Sequence, residues 1–345
     1  MALQIAPMLA HSKVAPDECF TSLLYWAQEK LDGERRLLHI GEERFMTGRR
    51  ILKETGRLSE IIEKVPHLDE AAWDALHGTI LDGELMHPNG FSTLASIMRS
   101  KTPRALDIQA DVGPLTYHVY DILAYKGESL LDKPYLERAQ VLDKVMTELP
   151  DSVRPHIFPV PAVKTLQQKQ ALYEQVLAKP DGEGLIFRHV HGTYEVGKRS
   201  LKLLKLKKEV TKDVVVLGFM PSTRLYTGKS IDTWTYWEHP ETLDLHEGAR
   251  PGEDWQPVTS GHFYGYPGTV VFGQYDAKGE MRQLGKCGGF DTDTAKWMKD
   301  KPEDWLHTVI EVTGNAEFAD TLALRHPRFM RRRDDKDARS CVIGT

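Results

Sequence analysis

The stretch Lys30-Leu31-Asp32-Gly33-Glu34-Arg35 lies between two segments that are apolar enough to form β-strands. These segments are Leu24-Tyr25-Trp26-Ala27 before it and Leu37-Leu38-His39-Ile40 after it. The simplest interpretation is a hairpin turn at Asp32-Gly33, because Asp-Gly is a strong hairpin signal. A turn alone does not explain a lysine that is followed so closely by an acid, a glycine and an arginine. Later parts of the chain contain residues that could act together with Lys30.

The composition is that of a globular protein with more than one domain. The chain has 345 residues, of which 41% are hydrophobic and 28% are charged, and this length suggests two domains. No apolar run is long enough to span a bilayer. The three cysteines are far apart and lack metal-ligand spacing, which argues against a disulfide framework or a zinc site. We expect a soluble, monomeric, cytoplasmic protein of a bacterial or phage-infected cell, with no membrane partner.

The basic residues are concentrated in three clusters although the net charge is -5. A charge run is usually a solvated face, but three basic clusters in an acidic chain favour a polyphosphate or nucleic-acid partner. The first cluster surrounds the opening stretch, the second precedes residue 213 and the third lies near the C-terminus. Their members are Arg35, Arg36, Arg44, Arg49, Arg50, Lys53 and Arg57; Lys198, Arg199, Lys202, Lys205, Lys207, Lys208 and Lys212; and Arg325, Arg328, Arg331, Arg332 and Arg333.

Apolar periodicity predicts an irregular mixture of helices and strands in residues 1–208. Helices are expected over 55–65, over about 134–149 and from Thr165 onward, where Thr165 and Gln168 form a potential capping box. Strands are expected at 79–86, 115–123, 185–188 and 201–206. Because these elements do not alternate strictly, we expect an α+β domain with mostly antiparallel strands.

Residues 209–345 are richer in short β-segments, and we predict a β-barrel of the OB-fold type there. The expected strands cover 214–219, 269–275, 281–284 and 309–313. An aromatic-rich insertion at about 223–267 interrupts them. Seven acidic residues in this insertion outnumber basic ones such as Lys229 and Arg250. Phosphates would repel such a segment, so we expect a folded excursion of the barrel rather than a DNA-binding latch.

Several further short motifs combine acids, glycines, an aromatic residue and lysines in a fixed order after Lys30. Singly, each has a simpler explanation. Asp82 and Asp121 could be turn or cap residues, Tyr120 could be a core residue, and Lys205 and Lys207 could line a solvated strand edge. The motifs are Asp82-Gly83-Glu84-Leu85, Tyr120-Asp121, Glu183-Gly184-Leu185-Ile186-Phe187-Arg188, Lys205-Leu206-Lys207 and Arg333-Asp334-Asp335-Lys336.

Together with the Lys30 motif, this order resembles the covalent nucleotidyltransferase superfamily, which contains ATP-dependent polynucleotide ligases and GTP-dependent mRNA-capping enzymes. The six motifs extend over nearly the whole chain. The resemblance implies a nucleotidyltransferase (adenylation) domain at 1–208 and an OB-fold domain at 209–345. It also implies that Lys30 is the nucleophile that attacks the α-phosphate of a nucleotide.

The resemblance implies roles for the other motif residues. Asp32, Arg35, Lys205 and Lys207 belong to the catalytic set; the three cations would lower the pKa of Lys30, and Lys205 and Lys207 would hold the α-phosphate. Glu84 and Glu183 would contact the ribose and a divalent metal, for which Mg²⁺ fits. Tyr120 would stack on the base. The nucleotide-binding set is completed by Glu29, Arg49, Arg333, Asp335 and Lys336.

Two of these assignments name a particular part of a substrate that the residues would contact. Arg49, in Thr47-Gly48-Arg49-Arg50, resembles an arginine that contacts the ribose and the 5′-phosphate of a nick. The residue before it is usually small and polar but is Gly48 here, which leaves Arg50 as an alternative. Arg333, Asp335 and Lys336 resemble the motif by which the OB domain closes over ATP and orients pyrophosphate.

Features outside the shared motifs favour DNA ligases over capping enzymes. Ala6-Pro7-Met8-Leu9-Ala10, Leu324-Arg325-His326-Pro327-Arg328-Phe329 and Gly285-Lys286-Cys287-Gly288-Gly289-Phe290 each resemble a ligase segment. We therefore expect an ATP-dependent DNA ligase that seals nicked double-stranded DNA with ATP and Mg²⁺. The alternatives are a GTP-dependent capping guanylyltransferase, an RNA ligase and, least favoured, a non-catalytic OB-type binding module. The short segment before the first strand predicts a minimal two-domain enzyme, as in bacteriophage and accessory bacterial ligases.

Overall fold

The computed structural model describes residues 5–12, 16–69, 73–179, 181–317 and 322–344. The chain divides into two compact units, Met1–Lys208 and Glu209–Thr345. In the described part of the chain, we find no helix that is both long and apolar enough to cross a membrane.

The first unit contains eleven described strands and six described helices. Its strands are β1 (Leu9–His11), β2 (Tyr25–Glu29), β3 (Glu34–Ile40), β4 (Phe45–Ile51), β5 (Leu58–Glu60), β6 (Thr79–Met86), β7 (Thr116–Tyr125), β8 (Glu128–Ser129), β9 (Ile157–Pro159), β10 (Gly184–His189) and β11 (Arg199–Lys207). Its helices are α1 (Pro16–Thr21), α2 (Pro66–Asp69), α3 (Phe91–Arg99), α4 (Thr102–Val112), α5 (Tyr135–Glu148) and α6 (Leu166–Ala178).

These strands form two sheets that are mostly antiparallel. The larger sheet has the order β5-β4-β3-β6-β7-β8, with β9 beside β7, and the smaller has the order β1-β11-β10-β2. Only the β9–β7 and β1–β11 pairs are parallel. The expected antiparallel α+β architecture is therefore confirmed.

Apolar side chains from both sheets form a shared core. Leu37 of β3, Leu123 of β7 and Leu203 of β11 are all buried in this cluster. Helices α3, α4 and α5 cover the other face of the larger sheet through residues such as Leu94, Ala105 and Leu142. Since β2 belongs to the smaller sheet and β3 to the larger, the segment between them crosses from one sheet to the other. The expected hairpin turn at Asp32-Gly33 is wrong in this respect, because the flanking strands do not pair.

The predicted helices have mixed outcomes. The helix at 134–149 is confirmed as α5, and the capping box is present at the start of α6, where Thr165 Oγ1 accepts from Gln168 N at 3.3 Å. The helix predicted over 55–65 is wrong. This segment forms β5 and a single 3₁₀ turn, Ile62–Lys64, because β5 pairs with β4 and the spacing of Leu58 and Ile61 buries apolar side chains equally well there.

The second unit contains ten described strands and two described helices. Its strands are β12 (Val210–Pro221), β13 (Tyr236–Glu238), β14 (Leu245–Glu247), β15 (Gln256–Pro257), β16 (Pro267–Tyr275), β17 (Met281–Cys287), β18 (Val309–Gly314), β19 (Ala316–Glu317), β20 (Leu324–Arg325) and β21 (Arg328–Arg332). Its helices are α7 (Ser260–Phe263) and α8 (Thr292–Asp300).

Five of these strands form a closed barrel. Their order is β17-β16-β12-β18-β21, and Phe329 N donates to Gly288 O at 2.9 Å, which joins β21 to the end of β17. Helix α8 connects β17 to β18, and Trp305, Phe272 and Val216 fill the interior. A five-stranded closed barrel with this order is an OB-fold, as expected.

The insertion at 223–267 folds as a small sheet between β12 and β16. Its strand order is β14-β13-β15. Trp237 is buried in it and donates through Nε1 to Gly248 O at 3.0 Å. Tyr226 and Trp234 stack with ring centroids 3.5 Å apart. The aromatic residues therefore build the interior of this excursion.

Candidate active site

Lys30 lies immediately after β2, where the chain leaves the smaller sheet. Its backbone N–H donates to Gly184 O at 2.9 Å, which fixes the end of β2 against the start of β10. Its side-chain Nζ forms an ion pair with Glu183, and both side chains are largely buried. The first and fourth motifs of the sequence therefore meet at one point.

Gly33 allows the chain to cross between the sheets. A Cβ atom at this position would lie 2.3 Å from Leu85 O and 2.6 Å from Glu84 Cγ. No larger residue fits such a close approach to β6. The glycine thus brings the residues after Lys30 directly against the strand that carries Glu84.

The Arg35 side chain is held by the Asp82 carboxylate. Its Nε donates to Asp82 Oδ1 at 2.9 Å and its Nη2 donates to Oδ2 at 2.5 Å. Tyr194 donates through its hydroxyl to the same carboxylate at 2.8 Å, and Arg35 Nη1 donates to Met8 O at 2.5 Å. A buried bidentate pair of this kind fixes the guanidinium strongly.

Glu84 and Tyr120 form a second polar contact of the site. Tyr120 donates through its hydroxyl to Glu84 Oε2 at 3.4 Å. The guanidinium groups of Arg35 and Arg188 lie 5.6 Å and 5.0 Å from the centre of the Tyr120 ring. Burial raises the pKa of Glu84 to about 8, although the nearby charges of Lys30 and Arg35 oppose this shift.

A β-bulge in β7 accounts for the position of Tyr120. Asp82 pairs with Asp121 and Gly83 pairs with Val119, so the backbone register between β6 and β7 skips Tyr120. A bulge changes the direction of a side chain and is common beside active sites. Here it allows both Tyr120 and Asp121 to contact Arg188.

Asp121 anchors a buried network that extends to β2. It accepts from Arg138 Nε at 2.8 Å and from Arg188 Nη1 at 2.9 Å. Arg188 Nε in turn donates to Gln28 Oε1 at 2.7 Å, two residues before Lys30. Burial alone would raise the pKa of Asp121, but the two guanidinium groups hold it below its usual range.

Lys205 and Lys207 lie near the end of β11, beside β10. In the sheet register Lys205 faces Ile186 and Lys207 faces Gly184, so the two lysines share the face expected from alternation. Burial, followed by the charges of Lys207, Arg199, Lys30 and Arg49, lowers the pKa of Lys205. The site thus gathers cations from three distant parts of the sequence.

The surroundings of Gly48 explain the unusual residue before Arg49. A Cβ atom at Gly48 would lie 2.6 Å from Arg36 Nη1 and 2.7 Å from Ser59 Oγ. The Arg36 side chain is buried at this point, so a side chain at position 48 would displace it. The charge of Arg49 is one of those that lower the pKa of Lys205, and its role in substrate binding stays a prediction.

Two other predicted residues lie near Lys30 with different surroundings. Glu29 forms an ion pair with Lys179 at 2.7 Å, next to the end of α6. Asp32 lies in the bend between β2 and β3 and is half-buried. Neither placement tests the expected contribution to nucleotide binding or catalysis.

Arg333, Asp335 and Lys336 follow β21 in the second unit. Arg333 donates to both oxygens of Asp335 at 2.8 Å and to Asp213 Oδ1 at 3.0 Å. Lys336 forms an ion pair with Asp213 at 2.5 Å. Arg333 and Lys336, the two cations of this motif, are therefore paired with carboxylates of their own unit.

The donor set of the first unit fits a magnesium ion that is held mainly by a nucleotide. Within the described ranges we find no group of three or more His, Cys, Asp or Glu side chains arranged to hold a metal. Mg²⁺ typically binds one or two carboxylates together with substrate phosphates and water. Glu84 and Glu183, both beside Lys30, can supply such a pair.

Sequence reasoning missed the buried residues that support the site. Asp82 and Asp121 are fully buried in strands, so their interpretation as turn or cap residues is wrong. Arg188 lies within a quoted motif but has no predicted role there, and Tyr194 and Arg138 are not among the predicted site residues. The available signal was an ionisable residue inside an otherwise apolar strand, since such a residue needs a buried partner.

Lys30 and the nearby acids and lysines lie in a two-sheet unit that is followed by an OB barrel. This arrangement is similar to the one expected of the covalent nucleotidyltransferase superfamily. A family model described as the ATP dependent DNA ligase domain matches residues 7–207. The chain belongs to the ATP-dependent DNA ligase family.

Curated relatives and solved structures agree with this membership. A probable DNA ligase of Koribacter versatilis is 28% identical over 378 residues, which cover 95% of this chain and 57% of the relative. A probable DNA ligase of Streptomyces coelicolor is 31% identical over 258 residues, covering 72% and 46%. The chain spans about half the length of the curated relatives it matches.

Two solved structures share the fold. The chain named Pmar-Lig_Pre has a TM-score of 0.66 at 18% identity, covering 96% of this chain and 69% of its own. A structure from work on Lig E DNA ligases, described as DNA binding with a minimal scaffold, has a TM-score of 0.60 at 20% identity. It covers 95% of this chain and 100% of its own.

Proposed function

We propose that this protein is an ATP-dependent DNA ligase that seals nicks between a 5′-phosphate and a 3′-hydroxyl in duplex DNA. The observation that carries the proposal is the meeting of Lys30 and Glu183 at the junction of two sheets, beside Glu84 and Lys205. A binding module has no need of a lysine in such a setting, whereas covalent nucleotidyl transfer requires one.

The proposed reaction has three steps. The amine of Lys30 attacks the α-phosphate of ATP, which forms lysyl-AMP and releases pyrophosphate. AMP then passes to the 5′-phosphate at the nick, and the 3′-hydroxyl displaces AMP to seal the strand. Lys205 and Lys207 stabilise the charge that develops on the transferred phosphate.

The surrounding residues orient the nucleotide in this proposal. Tyr120 provides the stacking face for the base, and the network from Asp121 through Arg188 to Gln28 keeps this wall of the pocket rigid. Glu84 and Glu183 would hold Mg²⁺, which would neutralise phosphate charge. Because an attacking amine must be free of its proton, the Lys30 proton has to pass to an acceptor, and the Glu183 carboxylate lies in position to take it.

We assign adenylation to the first unit and the OB-fold role to the second. Arg333, Asp335 and Lys336 act on the pyrophosphate portion of ATP, and the basic clusters bind the phosphates of nicked DNA. The proposed active species is a monomer.

The test is adduct formation with ATP labelled at the α-phosphate. The wild-type chain should form an acid-stable protein–AMP adduct in the presence of Mg²⁺, and Lys30→Ala should form none. Lys164→Ala is a matched control, because Lys164 packs over Trp26 at 4.2 Å on the same unit. No adduct, or an adduct that survives Lys30→Ala, would reject the enzyme assignment.

Substrate choice separates the remaining alternatives. We expect sealing of singly nicked duplex DNA to exceed sealing of nicked RNA, with ATP preferred over GTP. A strong preference for GTP would favour a capping guanylyltransferase, and preferential sealing of RNA would favour an RNA ligase.

A further inference from the structure

Asp213 and Glu311, which we call the carboxylate pair, hold the C-terminal motif against the OB barrel. They face each other across β12 and β18. Arg333 Nη1 donates to Asp213 Oδ1 at 3.0 Å and to Glu311 Oε2 at 3.3 Å. Lys336 binds the other oxygen of Asp213 at 2.5 Å. Two carboxylates from neighbouring strands thus hold both cations of the motif, and Glu311 Oε2 also accepts from Arg331 Nη2 at 2.8 Å.

The donors of Arg333 are almost fully used by these contacts. A guanidinium has five N–H groups. Nη1 contacts both members of the carboxylate pair, while Nε and Nη2 each donate to Asp335 at 2.8 Å. A phosphate oxygen can therefore gain more than one hydrogen bond from Arg333 only by displacing a carboxylate.

The carboxylate pair is partly buried, so solvent weakens its ion pairs with Arg333 less than it would at an exposed site. The Asp213 and Glu311 side chains are each 18% exposed and that of Arg333 is 15% exposed. Ion pairs at fully exposed sites contribute little because solvent screens them, but partly buried pairs are screened less. The arrangement resembles a bound anion supplied by the protein itself.

We propose that Asp213 and Glu311 are positioning residues that hold Arg333 and Lys336 as an internal competitor of the ATP phosphates and thereby set the ATP concentration that adenylation requires. This inference rests on the proposed function. The incoming triphosphate must replace the carboxylate pair at the two cations. Replacing either acid by its amide keeps the shape of the side chain but removes its negative charge. The competition with the ATP phosphates then weakens, and Arg333 and Lys336 are more available to bind them.

The test compares Asp213→Asn and Glu311→Gln with the wild-type chain. Initial rates of Lys30–AMP formation are measured over a range of ATP concentrations with α-labelled ATP. We expect each variant to lower the half-saturating ATP concentration by about 3- to 10-fold with an unchanged maximal rate. Asp300→Asn is the matched control, because Asp300 pairs with Lys296 on α8, and it should leave the ATP dependence unaltered.

Sealing of a pre-adenylated nick provides the second measurement. No ATP is consumed in that reaction, so both variants should seal at the wild-type rate. An unchanged or increased half-saturating ATP concentration, or a reduced maximal rate, would overturn the inference.

Thermal melting of each variant checks that it folds. Loss of folding in both variants would also overturn the inference, since the acids would then support the barrel itself. If the wild-type chain formed no Lys30-dependent adduct, the proposed function would fall instead, which is a distinguishable outcome.

Discussion

Glu84 combines two properties that conflict in a carboxyl group. It lies next to Lys30 and Arg35, yet burial raises its pKa to about 8. At neutral pH the free protein therefore holds much of this group protonated, and a bound cation would favour the ionised form. This behaviour suits the proposed role of Glu84, which is to hold a metal ion only while nucleotide is bound.

The raised pKa predicts a specific pH dependence of stability. The folded pKa lies above the usual value of 4.5, so the folded chain binds more protons than the unfolded chain between these values. The stabilising contribution is complete below about pH 4.5 and is lost as the pH rises through about 8. Between pH 6 and pH 9, wild-type protein should lose about 1–3 kcal/mol more unfolding free energy than Glu84→Gln.

Urea denaturation at the two pH values measures this difference. Glu128→Gln is the control, because Glu128 is an exposed residue of β8, and it should follow the wild-type pH dependence. Parallel behaviour of Glu84→Gln and wild type would show that Glu84 ionises normally.

Strand β7 contributes some side chains to the hydrophobic core and others to the candidate active site. Tyr117 and Val119 point into the core beneath the larger sheet, whereas Tyr120 and Asp121 contact Arg188. The bulge between these pairs breaks the simple alternation. Asp121 is then neutralised by Arg138, which lies on α5 and is fully buried. Helix α5 is therefore joined to the site by charge as well as by apolar packing.

Removal of Arg138 should be costly because it leaves part of a buried carboxylate without its partner. We expect Arg138→Met to lower the unfolding free energy by about 3–5 kcal/mol. Arg104→Met is the control, since Arg104 is an exposed residue of α4, and should cost no more than about 0.5 kcal/mol. Urea denaturation measures both, and similar values for the two variants would contradict the proposed importance of this network.

At the scale of the whole molecule, the insertion is a separate addition to the barrel. It leaves β12 at Pro221 and returns to β16 at Pro267, and these two residues are paired neighbours in the sheet. A short turn can therefore replace it without distorting the barrel. Its acidic residues outnumber its basic ones, so contact with DNA phosphates would be unfavourable.

Replacement of residues 223–266 by a short Gly-containing turn should leave nick sealing largely intact. We expect the KM for nicked DNA to change by less than about threefold, because the basic clusters supply the phosphate contacts. Lys198→Ala, in one of these clusters, should weaken nick binding and reduce its salt dependence. A many-fold increase in KM after the replacement, with normal adenylation, would show instead that the insertion binds DNA.

The sequence alone determined the features that depend on local pattern or on rare residue combinations. Such features are the two-residue alternation of strands, the capping box at Thr165 and the order of the six motifs. Each can be recognised from the sequence without knowledge of the fold. The resemblance of these motifs to the covalent nucleotidyltransferase superfamily predicts Lys30, Glu183, Lys205 and Lys207 as site residues before any position in the fold is known.

The tertiary structure alone decided the features that depend on distant partners. It separated β2 and β3 into different sheets, turned Arg35 toward Asp82 and paired Arg333 with Asp213. The free energies of burial and ion pairing depend on which distant groups come together, and local sequence does not specify them. The Asp32-Gly33 bend illustrates the difference between local and tertiary information. The two residues by themselves predict a bend, but only the fold decides that the chain crosses there from one sheet to the other.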